Sequence, residues 1–423
     1  MTLKANRRQL LGGLAATVAS PAILTSTRAY ADNPTIRVGF VTPSTGPLAG
    51  FAEADDYILE GLRAQFAGGI MNNGKSYSIE IIKKDSQSNP NRAAEVAADL
   101  ILGDEVDIIT AAATPDTTNP VADQAEINEV PCITTDAPWQ PYFFGRGGNP
   151  AEPFRYTYHF FWGLEDVIAN FTNIWNSSGV AKKVGGLFPN DADGNAWGDA
   201  QLGFPPALAG MGFGLTDPGR YQPLTDDFSN YIAAFKDEGV EIITGVMIPP
   251  DFATFWAQAA QQGFQPKVAT IGKALLFPSV IASLGERGTG LTTEVWWSPS
   301  HPFSSSLNGT TAGDLANGYS AATGRPWTQP IGFKHALFEV VADVISRSAD
   351  LDDYEANTAA IRETKISTIV GDVDWSSGPV PNVSKTPLVG GQWQDNGNGT
   401  ELVIINNDHA PAIPVGGQLN LLG

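Results

Sequence analysis

Few patterns in this chain would support enzyme or metal chemistry. Residues 69–76 match the phosphate-loop spacing GxxxxGK[ST], but they would leave a predicted helix and enter a strand, the reverse of a true phosphate loop. Residues 191–202 begin like an EF-hand calcium loop, yet they have alanine and leucine where that loop needs glycine and glutamate. The four histidines lack metal-ligand spacing, and neither GxSxG nor HExxH occurs. We therefore expect no catalytic residue, no metal and no cofactor.

The residues suited to binding a small molecule lie in loops that follow predicted strands. In open α/β sheets, ligands bind beyond the carboxyl ends of the strands, where helix N-termini and free backbone N–H groups point. These loops are rich in Thr, Ser, Asp, Asn and Trp and contain no His, so they can hydrogen-bond and stack on a solute but offer no nucleophile with its base. They span residues 43–51, 113–119, 136–139, 189–198, 248–252 and 272–275.

The elements that would position these loops alternate between strand and helix. A β-branched run at residues 35–41 is followed by helical spacing at residues 53–66, and the alternation continues to residue 134. It resumes in a second block, residues 164–271, after a Pro- and Gly-rich connection at residues 137–158. Short apolar strands separated by helices imply parallel sheets covered on both faces. The sequence thus predicts an α/β fold with two doubly wound, Rossmann-like lobes.

Length, charge and cysteine content narrow the class of protein. The 423 residues are 42% hydrophobic, which suits two domains with their own cores. The net charge of −20 argues against nucleic acid and anionic membrane surfaces as partners. The single cysteine, Cys132, excludes an intrachain disulfide and a multi-cysteine metal site.

Residues 1–31 are predicted to be a signal peptide. Arg7 and Arg8 precede a weakly apolar run at residues 10–24, and Ala31 ends a small-residue cleavage site. The twin arginine with this weak apolar region favours Tat export over Sec export. Either route predicts a periplasmic protein, and no later stretch reaches the ~18 apolar residues that a membrane span needs.

The first half of the chain resembles a known family in four motifs with the same order and separation. They are VGFVTPSTGPLA at residues 38–49, DSQSNP at 85–90, AAATPDTT at 111–118 and VPCI at 130–133. Residues 35–135 thereby resemble the first lobe of the periplasmic branched-chain amino-acid-binding family, the type I substrate-binding proteins of ABC importers. The second lobe is similar in outline, so the resemblance covers most of the mature chain.

The resemblance implies a protein that clamps a solute and does no chemistry on it. Three chain crossings would form the hinge, with lobe 1 at residues 34–157 and 297–370 and lobe 2 at residues 158–296 and 371–423. A small organic solute would bind between the lobes and stabilise their closed arrangement, which an inner-membrane permease would recognise. We expect a monomer that binds an amino acid, an amide or a carboxylate.

The resemblance also implies which residues bind the solute, with departures from the family pattern. Asp136 and Trp139 are bulkier than the small residues usual after the fourth strand. Lys273 stands where amino-acid-binding relatives commonly have an acid, which counts against a plain α-amino acid. The implied ligand-binding residues are Phe51, Ala113, Thr114, Thr117, Asp136, Ala137, Trp139, Trp197, Pro250 and Lys273.

Each of these assignments has a simpler alternative. The tryptophans Trp139, Trp197, Trp296 and Trp297 could pack between the lobes, and Lys273 could be an exposed surface cation. Asp116 could cap the helix that it begins. The charge of the solute also stays open. Lys273 and the aromatic residues favour an anionic carboxylate, to which we give preference, whereas Asp136 and Asp116 favour an amide or a cation.

Two other functions stay open beside the ABC-importer hypothesis. The same fold could serve as a periplasmic sensor subunit that passes its ligand-bound state to a receptor. Alternatively, scattered carboxylates could form a glycosidase pair across a cleft, which would make the protein a secreted hydrolase.

Overall fold

Apolar strands and amphipathic helices alternate along the chain, as the sequence predicts. The computed structural model describes residues 33–397 and 399–423. The predicted signal peptide, residues 1–31, lies outside the described residues, so its export route and cleavage site stay predictions.

The strands of the described chain are short, and most are buried. In chain order they are β1 (Thr35–Thr42), β2 (Ile70–Asn72), β3 (Lys75–Asp85), β4 (Ile108–Ala112), β5 (Cys132–Thr135), β6 (Thr157–Phe160), β7 (Lys183–Leu187), β8 (Gly214–Thr216), β9 (Ile242–Met247), β10 (Val268–Lys273), β11 (Thr292–Val295), β12 (Lys365–Thr368), β13 (Gly371–Asp374), β14 (Val383–Ser384), β15 (Val389–Asp395) and β16 (Thr400–Asn406).

The helices connect and flank these strands. They are α1 (Asp55–Gln65), α2 (Pro90–Leu102), α3 (Pro115–Ile127), α4 (Trp139–Phe143), α5 (Leu164–Ser178), α6 (Ala192–Trp197), α7 (Phe204–Gly210), α8 (Ser229–Asp237), α9 (Pro249–Gln261), α10 (Pro278–Leu284), α11 (Ala312–Thr323), α12 (Pro330–Arg347) and α13 (Tyr354–Arg362). None of the described helices combines the length and apolar character needed to cross a bilayer.

Two seven-stranded sheets form the framework of residues 34–423. The first has the order β14-β6-β5-β4-β1-β3-β2 and the second the order β16-β15-β11-β10-β9-β7-β8. In both sheets the central strands are parallel, and antiparallel strands occupy an edge: β2 in the first sheet, β15 and β16 in the second. This topology confirms the predicted α/β fold with two doubly wound lobes.

The last segment of the chain visits both sheets. Strand β14 lies within residues 371–423, which we assigned to the second lobe, yet it pairs in parallel with β6 of the first sheet. The chain then continues into β15 and β16 at the edge of the second sheet. The lobe limits therefore stay a prediction. The pairing of β14 with β6 shows that residues 371–423 contribute strands to both sheets.

Two local sequence signals fold as their chemistry predicts. Asn89 caps α2 by accepting hydrogen bonds from the backbone N–H groups of Asn91 and Arg92, with Pro90 in the first turn. Residues 69–76, which match the phosphate-loop spacing, form the β2–β3 hairpin, whose turn residues Asn73 and Gly74 have φ of 47° and 79°. Residues 69–76 therefore lie between a helix and a strand, as predicted, and they include a short strand, β2, that the sequence did not predict.

Helix α12 is the most deeply buried helix and lies against the first sheet. Every residue from Pro330 to Val341 is buried, including the charged Lys334. The Lys334 ammonium forms an ion pair with Asp55 and donates to the Thr42 hydroxyl at 3.1 Å and the Phe51 carbonyl at 2.5 Å. A charge in such a core requires this full set of partners, because an unpaired buried ion is strongly disfavoured.

Candidate functional site

A cavity opens beyond the carboxyl ends of the strands of both sheets. Its lining comes from the segments after β1, β4, β5 and β6 on the first sheet. On the second sheet it comes from α6, which follows β7, and from the ends of β9, β10 and β11 and the residues just beyond them. This is the position that parallel α/β sheets offer to a ligand. The lining residues are Phe51, Thr114, Asp136, Pro138, Phe161, Trp162, Asp193, Trp197, Val246, Lys273, Leu276, Glu294 and Trp296.

The structure brings half of the predicted binding residues to this cavity. Phe51, Thr114, Asp136, Trp197 and Lys273 all line it. They come from five different segments of the chain, and their sequence separation reaches 222 positions between Phe51 and Lys273. These five stay candidates for solute contact.

The other predicted residues do not reach the cavity lining. Ala113 and Ala137 are buried within the protein, and Pro250 lies in the first turn of α9. The Thr117 side chain faces the start of its own helix, where its hydroxyl donates to the Thr114 carbonyl at 3.4 Å. Trp139 packs below the first sheet and donates its indole N–H to Glu165 Oε1 at 3.1 Å. Trp139 therefore has a packing role in the described structure, which was the alternative to solute contact.

Several lining residues were missed in the sequence. Phe161 and Trp162 follow β6, a strand that begins in the last two residues of the tract that we interpreted as a long connection. Glu294 lies in β11, a four-residue strand that was not predicted, and Trp296 follows it. One signal in the sequence could have identified Glu294. It is the acidic residue in the otherwise uncharged run TTEV, and this run directly precedes two tryptophans.

Lys273 lies at the end of β10 with its charge fully paired. It is 4% exposed, and its ammonium lies 2.7 Å from Asp193 Oδ2 and 3.2 Å from Asp191 Oδ2. Burial alone would lower the pKa of Lys273, but the negative charges of Asp191, Asp193 and Asp116 raise it above its ordinary value. The alternative of an exposed surface cation is therefore wrong, because a loop and helix of the second lobe enclose this side chain.

Asp191 and Asp193 belong to the run that resembles the start of a calcium loop. Asp191 caps α6 by accepting from the Gly194 backbone N–H at 2.7 Å, and its other oxygen faces Lys273. Burial raises the pKa of Asp193, and the charge of Lys273 opposes that rise. The described residues contain no group of three or more His, Cys, Asp or Glu arranged to hold a metal ion.

Asp136 lines the opposite side of the cavity without a hydrogen-bond partner. It is 4% exposed, and neither carboxylate oxygen has a partner among the described residues. Burial raises the pKa of Asp136 to about 8, the positive charge of Lys334 opposes the rise, and Asp55 adds to it. The neighbouring Thr135 hydroxyl also opposes the rise, but it donates its hydrogen to the Phe160 carbonyl at 2.7 Å. A buried acceptor left in this state points to a group that the protein itself does not supply.

Glu294 adds a second buried carboxyl group to the lining, but its oxygens are occupied. Oε1 accepts from the Lys273 backbone N–H at 3.1 Å, and Oε2 accepts from the Thr293 hydroxyl at 2.9 Å. Burial raises the pKa of Glu294 to about 7, and the Lys273 N–H opposes the rise. Glu294 therefore contributes to the field in the cavity more than to direct bonding.

Aromatic side chains form the walls. Phe161 contacts Trp162 and Trp296 with ring centroids 4.9 Å and 5.1 Å apart, and Trp197 stacks on Phe204 at 5.1 Å. The indole N–H groups of Trp162, Trp197 and Trp296 are buried and have no partner among the described residues. The walls thus offer π faces and unpartnered N–H donors to a solute.

Comparisons with known proteins agree with this geometry. A model of the periplasmic binding protein family matches residues 35–398. A leucine-binding protein from Thermotoga maritima is 19% identical, with 88% of this chain and 99% of that chain covered and a TM-score of 0.70. A branched-chain amino-acid transporter substrate-binding protein from Streptococcus pneumoniae, in complex with isoleucine, is 17% identical over 88% of this chain and 99% of that one, with a TM-score of 0.69.

A third similar structure binds a different kind of solute. It is an ABC-transporter solute-binding protein from Rhodopseudomonas palustris in complex with 3,4-dihydroxybenzoic acid, 18% identical over 88% of this chain and 96% of that chain, with a TM-score of 0.69. No curated protein sequence matches the chain. The match to the family model spans most of the chain, and the fold is that of leucine-binding proteins. The chain therefore belongs to the periplasmic binding protein family.

Proposed function

We propose that this protein is a periplasmic solute-binding protein of an ABC importer, which closes two lobes on a small organic solute and delivers it to a membrane permease. The observation that carries the proposal is the cavity between the strand ends of the two sheets, lined by buried polar groups without partners. Such groups favour a bound solute, because a buried donor or acceptor left without a hydrogen bond is destabilising by about 1–3 kcal/mol.

The composition of the lining favours binding over catalysis. It contains no His, Ser or Cys, and its lysine is paired with Asp191 and Asp193. The buried histidine nearest the Asp136 loop, His159, bonds the Thr134 hydroxyl and the Ala137 carbonyl, and burial lowers its pKa to about 3. We propose that the solute is released unchanged and that no cofactor takes part.

Contacts between the two sides of the cavity indicate where closure would occur. Asp116 of α3 accepts from the Ala192 backbone N–H at the start of α6, at 3.3 Å. Phe51 meets Phe277 edge to face, with ring centroids 5.1 Å apart. We propose that these contacts part when the lobes open, since a solute that contacts both sides stabilises only the closed arrangement.

The proposal is tested by a thermal-shift screen of amino acids, aromatic acids and amines, paired with assay of each solute afterwards. A true ligand at about 100-fold excess over its Kd should stabilise the protein by about 2.7 kcal/mol and be recovered intact. Failure of the whole panel to shift the transition, or conversion of a solute to product, would contradict the proposal; the second result would favour the hydrolase alternative.

A glycine packed against two lining residues, Trp197 and Glu294, supplies the matching variant. A Cβ at Gly272 would lie 2.7 Å from Trp197 Cη2 and 3.2 Å from Glu294 Oε2, so Gly272→Ala should lower solute affinity about tenfold or more. Gly61 in α1 has open space around it, and Gly61→Ala should leave affinity unchanged while stabilising the helix by about 0.5–1 kcal/mol. Equal affinity in the two variants would place the solute elsewhere.

The importer and sensor hypotheses differ in the partner that the closed protein would bind, which is a membrane permease in the first and a receptor in the second. Growth on the identified solute as sole nitrogen or carbon source should require this protein together with a permease and an ATPase. A strain that lacks the protein but still takes up the solute normally would favour the sensor alternative.

A further inference from the structure

We propose that the cavity binds a small organic cation bearing N–H groups, such as a protonated amine, an amidinium or a guanidinium, and that Asp136 is its charge partner. This inference rests on the proposed function and names the solute class for the same cavity. It departs from our sequence-based preference for an anionic solute, which depended on Lys273.

The charge balance of the lining is the first step. Three carboxyl groups line the cavity, Asp136, Asp193 and Glu294, against the single cation Lys273. Lys273 is already held by Asp193 and by Asp191 just behind it. At pH 8, where the carboxyl groups of Asp193 and Glu294 are largely ionised and that of Asp136 partly so, an anionic solute would find indole N–H donors but would meet negative charge and no free cation. A cation would enter a field that attracts it.

The hydrogen-bonding state of Asp136 is the second step. Its two oxygens are buried at the cavity lining and have no partner among the described residues. The nearby Lys334 does not fill this role, because its ammonium is engaged by Asp55, Thr42 and the Phe51 carbonyl. A solute with two N–H groups on one charged centre would satisfy both oxygens, in the paired geometry that makes charge-assisted bonds strong.

The aromatic walls are the third step. Phe51, Phe161, Trp162, Trp197 and Trp296 line the same space. A cation that has lost its hydration shell is attracted to the faces of such rings, most strongly to tryptophan. The aromatic acids bound by similar proteins would gain stacking and indole N–H donors from these walls, but at pH 8 they would meet the ionised fraction of the unpartnered Asp136.

The protonation of Asp136 gives the inference a signature of its own. Burial raises the pKa of Asp136 to about 8, and the charges that act on it are Lys334 on α12 and Asp55 on α1, with Asp193, Lys273 and Glu294 lining the same cavity. A bound cation favours the ionised form, so binding near pH 7 should release a proton. Affinity should rise by up to about tenfold per pH unit between about pH 6 and 8 and level off above.

Three isosteric probes test the charge preference: benzamidine, benzamide and benzoate, measured by isothermal titration calorimetry at pH 8. We expect benzamidine to bind at least about tenfold more tightly than benzamide and benzoate not to bind at about 10 mM. Repeating the benzamidine titration at pH 7 in buffers of different ionisation enthalpy should show the released proton. Asp136→Asn should remove both the preference and the proton release, whereas Asp56→Asn, at an exposed carboxylate paired with Lys83, should retain them.

The outcomes separate this inference from the proposed function. Absent benzamidine binding, or benzamide or benzoate binding as tightly as benzamidine, overturns the cation assignment. If benzoate or leucine binds instead, the solute-binding function stands; if no member of the wider panel binds, that function fails as well. Should Asp136→Asn fail to fold, mass spectrometry of the solute carried by the purified wild-type protein decides between a cationic and an anionic ligand.

Discussion

Asp136 and Lys273 occupy corresponding places on the two sides of the cavity. Asp136 directly follows β5 of the first sheet, and Lys273 is the last residue of β10 in the second. Both have a left-handed backbone, with φ of 66° and 64°, although neither is glycine. Both side chains are 4% exposed. The chain therefore takes a positive φ at two strand ends and buries an acidic and a basic side chain there.

The two charges differ in their partners. Lys273 is paired with two carboxylates of its own lobe, whereas neither oxygen of Asp136 has a partner among the described residues. Non-glycine residues with positive φ are strained, and such strain is concentrated at functional sites. The comparison teaches that burial alone does not identify a ligand-binding charge. What distinguishes the two residues is whether the fold already satisfies the charge.

The largest expected effect on stability comes from substituting Lys273, whose charge is paired within the protein. Lys273→Met keeps the length of the side chain but leaves Asp191 and Asp193 close together without their cation. Removing one partner of a buried ion pair destabilises a protein by about 3–5 kcal/mol, and we expect a loss of that size in the free energy of unfolding from urea denaturation.

The matched control is an exposed lysine directly before β10. Lys267 lies 2.9 Å from Glu241, and the two side chains are 52% and 28% exposed, so Lys267→Met should change the free energy of unfolding by at most about 1 kcal/mol. If Lys273→Met is as stable as this control and has lost solute binding, Lys273 is a ligand residue and the comparison fails.

The second-largest expected effect on stability comes from substituting Asp136, whose carboxyl group has no hydrogen-bond partner among the described residues. Because the folded-state pKa of Asp136 is raised from 3.8 to about 8, the folded protein keeps a proton that the unfolded chain releases. The contribution of this group to stability is therefore fully present below about pH 4 and is lost as pH rises toward 8. The asparagine of Asp136→Asn does not ionise, so the variant does not lose stability in this way as pH rises. At pH 8 and without solute, its free energy of unfolding should exceed that of the wild-type protein by about 1–3 kcal/mol, and the difference should shrink toward pH 4.

An aspartate with the opposite shift provides the control. Burial acts against it, but hydrogen bonds from Thr45 and Gln87 lower the pKa of Asp85 below its ordinary value. Asp85→Asn should therefore lower stability at neutral pH, with a difference that shrinks as pH falls through the native pKa. A loss of stability at pH 8 in Asp136→Asn would mean that the Asp136 carboxylate is satisfied within the protein and is not waiting for a solute.

The framework was predictable because it depends on periodicity. The helical spacing of residues 53–66 appears as α1 (Asp55–Gln65), and residues 35–41 lie within β1 (Thr35–Thr42). Strand β6 was missed, because it is only four residues long and lies at the end of a tract rich in proline and glycine. Strand β11 was missed for the same shortness, and its acidic residue Glu294 went unnoticed with it.

The site was less predictable than the fold, because charge pairing joins distant residues. Asp191 and Lys273 are 82 positions apart, and Asp55 and Lys334 are 279 apart. The sequence predicted that Lys273 follows a strand. It did not indicate that Asp191 and Asp193, in the run whose likeness to a calcium loop we rejected, would neutralise its charge. The preference for an anionic solute followed from that missing contact.

The smallest effect concerns the residue that connects the two sides. Asp116 belongs to α3 beyond the first sheet, accepts from the Ala192 N–H across the cavity, and adds to the negative charge around Lys273. Burial raises the pKa of Asp116, and Lys273 opposes the rise. Because Lys273 keeps Asp191 and Asp193 as direct partners, and an amide oxygen can still accept from Ala192, Asp116→Asn should change the free energy of unfolding by less than about 1 kcal/mol. The same urea titration measures it beside Lys273→Met. A loss as large as that of Lys273→Met would mean that the charge cluster is one unit spanning both sides, so that Lys273 could not be assigned to the second sheet alone.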